Sequence, residues 1–201
     1  MAAGLGLAAP KGSPPKDVTG SSALSQVVTT PGPVAGRKVA IIADDSADLA
    51  GIAKLTKILD KAGVQVAITA PVGGRLKSGR RTVVVDRTFT TARSIEFDAA
   101  VIAGGALESI DIKLAVLLHE MFRHCKPVGA WGDGRAVLES VDIALDGPGV
   151  LTADDASNAF GAELVAALGR HRVWERAEAV MASAVPPVLT KTRRSRKSGR
   201  S

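Results

Sequence analysis

Apolar residues in this chain fall into two alternating patterns, short unbroken runs and longer stretches spaced three and four apart, and the alternation begins at Arg37. Val39-Ala40-Ile41-Ile42-Ala43 has no polar interruption, as expected of a parallel strand covered on both faces. Asp44, Asp45 and Ser46 follow with side chains suited to helix capping, and Leu49, Ile52, Leu55, Ile58 and Leu59 then recur at helical spacing as far as Gly63. Val64 to Ala70 predicts a second strand, Pro71-Val72-Gly73-Gly74-Arg75 a turn, and Thr82 to Val85 a third strand exposed on one side. Asp98 to Ala103 predicts a central strand stopped by Gly104-Gly105, and Ile110, Leu114, Leu117, Leu118, Met121 and Phe122 form one stripe of the helix after it. Val128 to Trp131 is the fifth expected strand, Arg135 to Val141 a short helix, and Gly149 to Thr152 an edge strand. Ser157 then caps a helix that carries Phe160, Leu164, Val165 and Leu168 toward Trp174. Strands separated by single helices predict right-handed crossovers and an α/β fold of three layers, an open parallel sheet with helices on both faces.

The two ends lack this periodicity. Residues 1–36 hold Pro10, Pro14, Pro15, Pro31 and Pro33 among Gly, Ser and Ala, the composition of a flexible linker. Pro186 and Pro187 close the other end of the domain. Beyond them Lys191, Arg193, Arg194, Arg196, Lys197 and Arg200 have no acid between them and nothing apolar to bury, which predicts disorder. The chain therefore divides into a linker over 1–36, a domain over 37–176 and a basic tail over 177–201.

Composition changes this picture in three ways. The formal charge of +6 belongs to the tail, because the remaining 20 basic residues face 20 acidic ones, so net charge does not imply a nucleic-acid-binding face. The tail over 191–200 can touch nucleic acid or anionic surfaces only weakly, by charge, since no aromatic interleaves its cations to stack on bases. A solvated tail is the plainer account. The single cysteine, Cys125, excludes an intrachain disulfide and fits a reducing compartment. No apolar run reaches the roughly 18–20 residues of a membrane span, and the mildly apolar Met1 to Ala9 lacks a preceding positive region. A cytoplasmic protein without membrane contact is expected.

Ligands of open parallel sheets collect outside the carboxyl ends of the strands. That edge is lined here by Asp44 and Asp45, by Gly104 and Gly105, and by Gly132, Asp133 and Gly134. Lys126 to Arg135 reads as a strand, a tight turn and a helix, a layout in which enzymes place a thiol or hydroxyl on the turn. Gly132 stands at that place with no side chain to offer. Gly104-Gly105 supplies amides suited to an oxyanion, or simply a turn of positive φ. Asp133 is a general base paired with Asp44 or Asp45, or a helix cap. In both cases the plainer structural account is preferred. No spacing marks a metal site among the carboxylates. Cys125 lies seven residues short of the turn, and His119, His124 and His171 read as surface or capping residues.

The strand ending in Gly104-Gly105, the helix after it and the segment Lys126 to Gly134 resemble the class I glutamine amidotransferase superfamily, in its intracellular-protease branch, where a cysteine matches Gly132 and the next residue is often histidine. Gly36 to Asp45, Lys126 to Asp133 and His171 to Arg176 together resemble, more narrowly, the C-terminal domain of large-subunit haem catalases of the hydroperoxidase II type. Gly4-Leu5-Gly6-Leu7 and Pro31 to Gly36 are similar to the segment joining the catalase core to that domain. The resemblance spans about residues 4 to 176 and implies a flavodoxin-like fold.

It also implies a parent enzyme that dismutes hydrogen peroxide at a haem held by tyrosinate, with a distal histidine, in a core that precedes residues matching these. This chain contains no tyrosine. The resulting expectation is a non-catalytic module, without cofactor of its own, that has a structural, stabilising or chaperone-like role and contacts a catalase core or further copies of itself. Met1 is then the start of a detached module or an internal residue of a longer catalase. The alternative is a residual small-ligand binder or enzyme acting at Gly104, Gly105, Gly132 and Asp133, over the vestigial pocket edge that Asp44 and Asp45 complete.

Overall fold

A computed structural model describes residues 31–105 and 110–177. The first 30 residues of the expected 1–36 linker and residues 178–201 of the expected tail lie outside the described residues. In chain order the elements are β1 (Lys38–Ile42), α1 (Leu49–Lys61), β2 (Gln65–Ala70), β3 (Gly74–Ser78), β4 (Arg81–Val85), β5 (Arg87–Thr88), β6 (Ala99–Ile102), α2 (Ile112–Arg123), β7 (Val128–Trp131), α3 (Arg135–Ser140), β8 (Val150–Ala153) and α4 (Asn158–Gly169). Six strands form one sheet in the order β5-β2-β1-β6-β7-β8, every pair parallel. This is the flavodoxin-like α/β arrangement.

The period of two along β1 divides the core into two layers. Val39 and Ile41 face α1 and α4, where they pack with Ile52, Leu55, Leu59, Phe160, Leu164 and Leu168. Ala40 and Ile42 face the other way, toward Leu114, Leu118 and Met121 of α2 and Leu138 of α3. Both layers are dry, with all of these side chains at most 2% exposed. Each large one contributes about 1.5–3 kcal/mol by leaving water, which explains why β1, β6 and β7 carry almost no polar residue.

Several expectations are corrected. Thr82–Val85 does not join the parallel sheet. Its strand, β4, pairs antiparallel with β3 in a separate two-stranded sheet, because Gly79 adopts φ +57 and closes a two-residue turn at Gly79-Arg80. The turn expected over Pro71–Arg75 is accordingly shorter, and Gly74 already opens β3. The cap of α1 is Asp48, whose Oδ1 accepts from the amides of Ala50 (3.1 Å) and Gly51 (2.9 Å), rather than Asp44, Asp45 or Ser46. The last helix stops at Gly169 instead of running toward Trp174: Arg170 ends it and His171 turns to φ +64. The last residues of the expected linker also belong to the fold, with the Gly32 amide donating to Gly169 O at 2.9 Å and Gly36 to Gly63 O at 2.8 Å. Ser157 caps α4 as its sequence implies, accepting from the Phe160 amide at 3.2 Å.

Candidate functional site

The chain leaves β1 toward β2 on one side, while β6 stands on the other, so the carboxyl ends of β1 and β6 form the switch point of the sheet. The expected edge residues gather there. Asp44 Oδ1 accepts from the amide and hydroxyl of Ser46 at 2.9 and 2.6 Å, folding the loop after β1 back on itself. Gly105, at φ +91, lies so close to this loop that an added Cβ would stand 2.3 Å from Ser46 O and 2.9 Å from Ala47 Cα. Asp48 N donates to Gly104 O at 2.7 Å and locks the two loops together. Asp45 is exposed and stays at the rim.

Gly132 follows β7 at φ +56, opening a 3-10 turn over Gly132–Gly134. The backbone is bent as a nucleophile-bearing turn would be, and space remains: a Cβ would lie 3.5 Å from Asp154 O and 3.6 Å from Gly104 Cα, ordinary contact distances. Arg135 braces the turn by donating from Nε to Gly132 O at 3.0 Å and pairing with exposed Asp154 at 3.1 Å. Asp133 is exposed and makes no hydrogen bond or ion pair among the described residues. It is not the cap of α3 either, since that position is Gly134 and has no side-chain cap. Asp133, Asp44 and Asp45 form no mutual hydrogen bond, and among the described residues no group of three acids, histidines or cysteines gathers as metal ligands do.

One residue missing from the expected set shapes this edge. Trp131, 1% exposed, lays its indole between the two loops. Its Nε1 points at Asp48 Oδ2 (3.4 Å), its ring meets Phe160 edge-on at 6.1 Å, and a Cβ on Gly104 would stand 2.9 Å from it. Five well-formed cavities among the described residues are lined by other residues than Gly104, Gly105, Gly132 and Asp133. A tryptophan ending an apolar strand was visible in the sequence, but its reach across Gly104 depends on the pairing of β6 with β7.

The opposite, amino edge of the sheet is the more polar inside the fold. Lys126, 5% exposed, donates from Nζ to the carbonyls of Ser94 and Phe97, the latter at 2.6 Å. Arg176, 7% exposed, donates to Pro148 O (2.7 Å), Lys126 O (2.9 Å) and Phe122 O (3.3 Å), and its guanidinium lies 3.8 Å from the centre of the Phe122 ring. Burial pulls Arg176 down to about 10, and it also lowers Lys126, with the Arg172 charge acting in the same direction. His171 is lowered by burial and then by Arg172 and Arg37, whose Nη1 is 3.2 Å from Nδ1. That same guanidinium donates to Leu168 O.

The remaining candidate groups stand apart from this turn. His119 Nε2 lies 2.8 Å from Val141 O, His124 is exposed at the end of α2, and Cys125 is a buried free thiol at φ +56. Nothing joins them to Gly132.

Residues 35–178 match the family described as the C-terminal domain found in long catalases. The chain belongs to that family. This catalase C-terminal domain is 35% identical over 175 residues to Catalase HPII of Mycobacterium avium, covering 78% of the chain and 25% of that protein. It is 33% identical over 181 residues to Catalase-2 of Bacillus subtilis (strain 168), covering 88% of the chain and 26% of the relative, and 31% identical over 184 residues to Catalase HPII of Pseudomonas aeruginosa, covering 89% and 26%. The chain spans about a quarter of the length of these relatives.

Proposed function

We propose that this catalase C-terminal domain is a non-catalytic module that stabilises a large-subunit catalase, itself a peroxide-dismuting enzyme, by attaching to its core. The observation that supports the reading is the edge at Gly132: a left-handed turn with room for a side chain carries none, and the indole of Trp131 is packed against Gly104 beside it. Catalysis of acyl transfer needs both an attacking group and donors around the developing charge. Here neither Asp133 nor Cys125 stands where it could attack.

Haem is assigned to the part of a long catalase that this chain does not span, because the residues present do not fit it. The sequence has no phenol. Of its three histidines, one is committed to a main-chain oxygen, one lies beside a guanidinium and one is at an exposed helix end. Ile112 and Val116, 71% and 50% exposed and four residues apart on α2, supply an apolar strip for attachment to the core. No helix among the described residues is long and apolar enough to cross a membrane, and a cytoplasmic location is part of this proposal.

Two measurements test it. Purified chain supplied with haem should show no Soret band and release no oxygen from peroxide. Added to a long catalase trimmed of its own C-terminal domain, it should lengthen the half-life of activity at elevated temperature. Oxygen release by the chain alone, or turnover of any substrate that Asp133→Asn abolishes, would overturn the reading, as would a trimmed catalase indifferent to the added chain.

A further inference from the structure

Charge on the described domain is balanced in sum but not in place. Three lysines of α1, Lys54, Lys57 and Lys61, follow one another at spacings of three and four and so share one stripe of the helix. They line a cleft of about 340 Å³ together with Arg81 of β4 and Asn158 of the first turn of α4. Arg81 is brought there by the β period. Val83 and Val85 of the same strand face pack on the core beside α1, and Arg81 extends that face past the apolar contact. The hairpin absent from the sequence reading is therefore what closes the cleft.

None of the four cations has an ion-pair or hydrogen-bond partner among the described residues, where the two ion pairs join Arg87 to Glu96 and Arg135 to Asp154. Solvated helix faces intersperse the two signs, and like charges three or four apart destabilise a helix by about 0.2–0.5 kcal/mol per pair. Folding alone gives no reason to aim a fourth cation at this stripe. The lining offers no aromatic ring, carboxylate or side-chain hydroxyl, only cations, one amide and short apolar groups. Such a surface recognises charge in a row and has nothing to read a base or a sugar with. The lysine stripe runs about 10 Å along α1, the reach of a few linked phosphates, and lysine grips phosphate as a point charge.

We propose that the cleft between α1, the β3-β4 hairpin and the start of α4 binds a short chain of linked phosphates, held by Lys54, Lys57, Lys61 and Arg81. The source is free oligophosphate or the triphosphate group of a nucleotide, which share this chemistry. The site is independent of the Gly132 edge and of the attachment strip on α2.

Calorimetric titration of the full chain with sodium tripolyphosphate and with ATP, at matched ionic strength, tests the proposal. Tripolyphosphate should bind in one-to-one ratio, ATP should bind no more than a few fold differently if supplied through its phosphates alone, and log K should fall linearly with log salt. Lys57→Gln with Arg81→Gln should weaken tripolyphosphate at least tenfold while circular dichroism and Tm stay unchanged, and Lys113→Gln on α2 should leave binding intact. Affinity unaltered in the double variant would overturn the proposal and assign the anion to the cations of residues 191–200. So would no heat of binding, or ATP binding more than tenfold tighter than tripolyphosphate. Tighter binding of a single-stranded oligonucleotide, lost in the same double variant, would replace it with a nucleic-acid site.

Discussion

The two edges of the sheet are built from opposite materials. At the carboxyl edge, where α/β folds place their chemistry, the loops meet through Gly104, Gly105 and Gly132 and through the indole of Trp131, with the acids left at the rim. At the amino edge, two cations are buried against main-chain carbonyls, with no carboxylate bonded to either among the described residues. A buried charge needs hydrogen-bond partners, and here Nζ of Lys126 and the Nε and Nη1 groups of Arg176 tie segments far apart in sequence: Lys126 holds the loop at Ser94–Phe97, and Arg176 joins the end of α2 and the residues before β7 to the turn before β8. The amino edge secures strands with buried cations, and the carboxyl edge packs its loops with glycine and indole.

The contrast breaks most readily at Arg176. Arg176→Met should leave the Pro148 and Lys126 carbonyls without this donor and lose the contact with the Phe122 ring, lowering stability by about 3 kcal/mol and Tm by about 6–12 °C, as calorimetry would show. A loss under about 1 kcal/mol would mean the amino edge is decoration. Gly105→Ala tests the other edge: the new methyl group meets backbone at 2.3 Å with φ at +91, so about 2–3 kcal/mol should be lost.

Lys126→Met should destabilise by about 2 kcal/mol through the lost bonds to Ser94 O and Phe97 O, and it should change the pH profile. Because burial lowers the native pKa of Lys126 below 10.5, the unfolded chain binds the proton more tightly. The penalty is full at low pH and is relieved as pH rises from the native value toward 10.5. Denaturant titrations at rising alkaline pH up to 10.5 should show this rising contribution in the native sequence and its absence in the variant. The smallest effect is expected at Gly132→Cys, about 1 kcal/mol, because a side chain has room there and only the left-handed backbone resists. The new thiol should be alkylated many times faster than Cys125, 8% exposed, and equal rates would show that the turn is closed.

The central strands were legible because Val39–Ile42, Ala99–Ile102 and Val128–Trp131 are too short and too uniformly apolar to be anything but buried strands between helices. The hairpin was not, since Arg75-Leu76-Lys77 has a single apolar residue and its partner across the turn is known only once Gly79 takes positive φ. At the site, the missing side chain at Gly132 could be read from the strand-turn-helix pattern around it. Which of Asp44, Asp45 and Asp48 caps α1 could not, as all three are able to, and the choice follows from where the helix begins. Arg176 was beyond reach because its carbonyl partner at Lys126 is 50 residues away and no local pattern announces it.

Gly161 has a wider effect than its size suggests. A Cβ there would lie 2.8 Å from Cγ2 of Ile58 and 2.9 Å from its Cδ1, so the isoleucine of α1 sits in a notch cut into α4. A peg in a notch resists sliding in both directions. The two helices are thereby keyed into a single stiff plate, and a load applied to one is carried by the other.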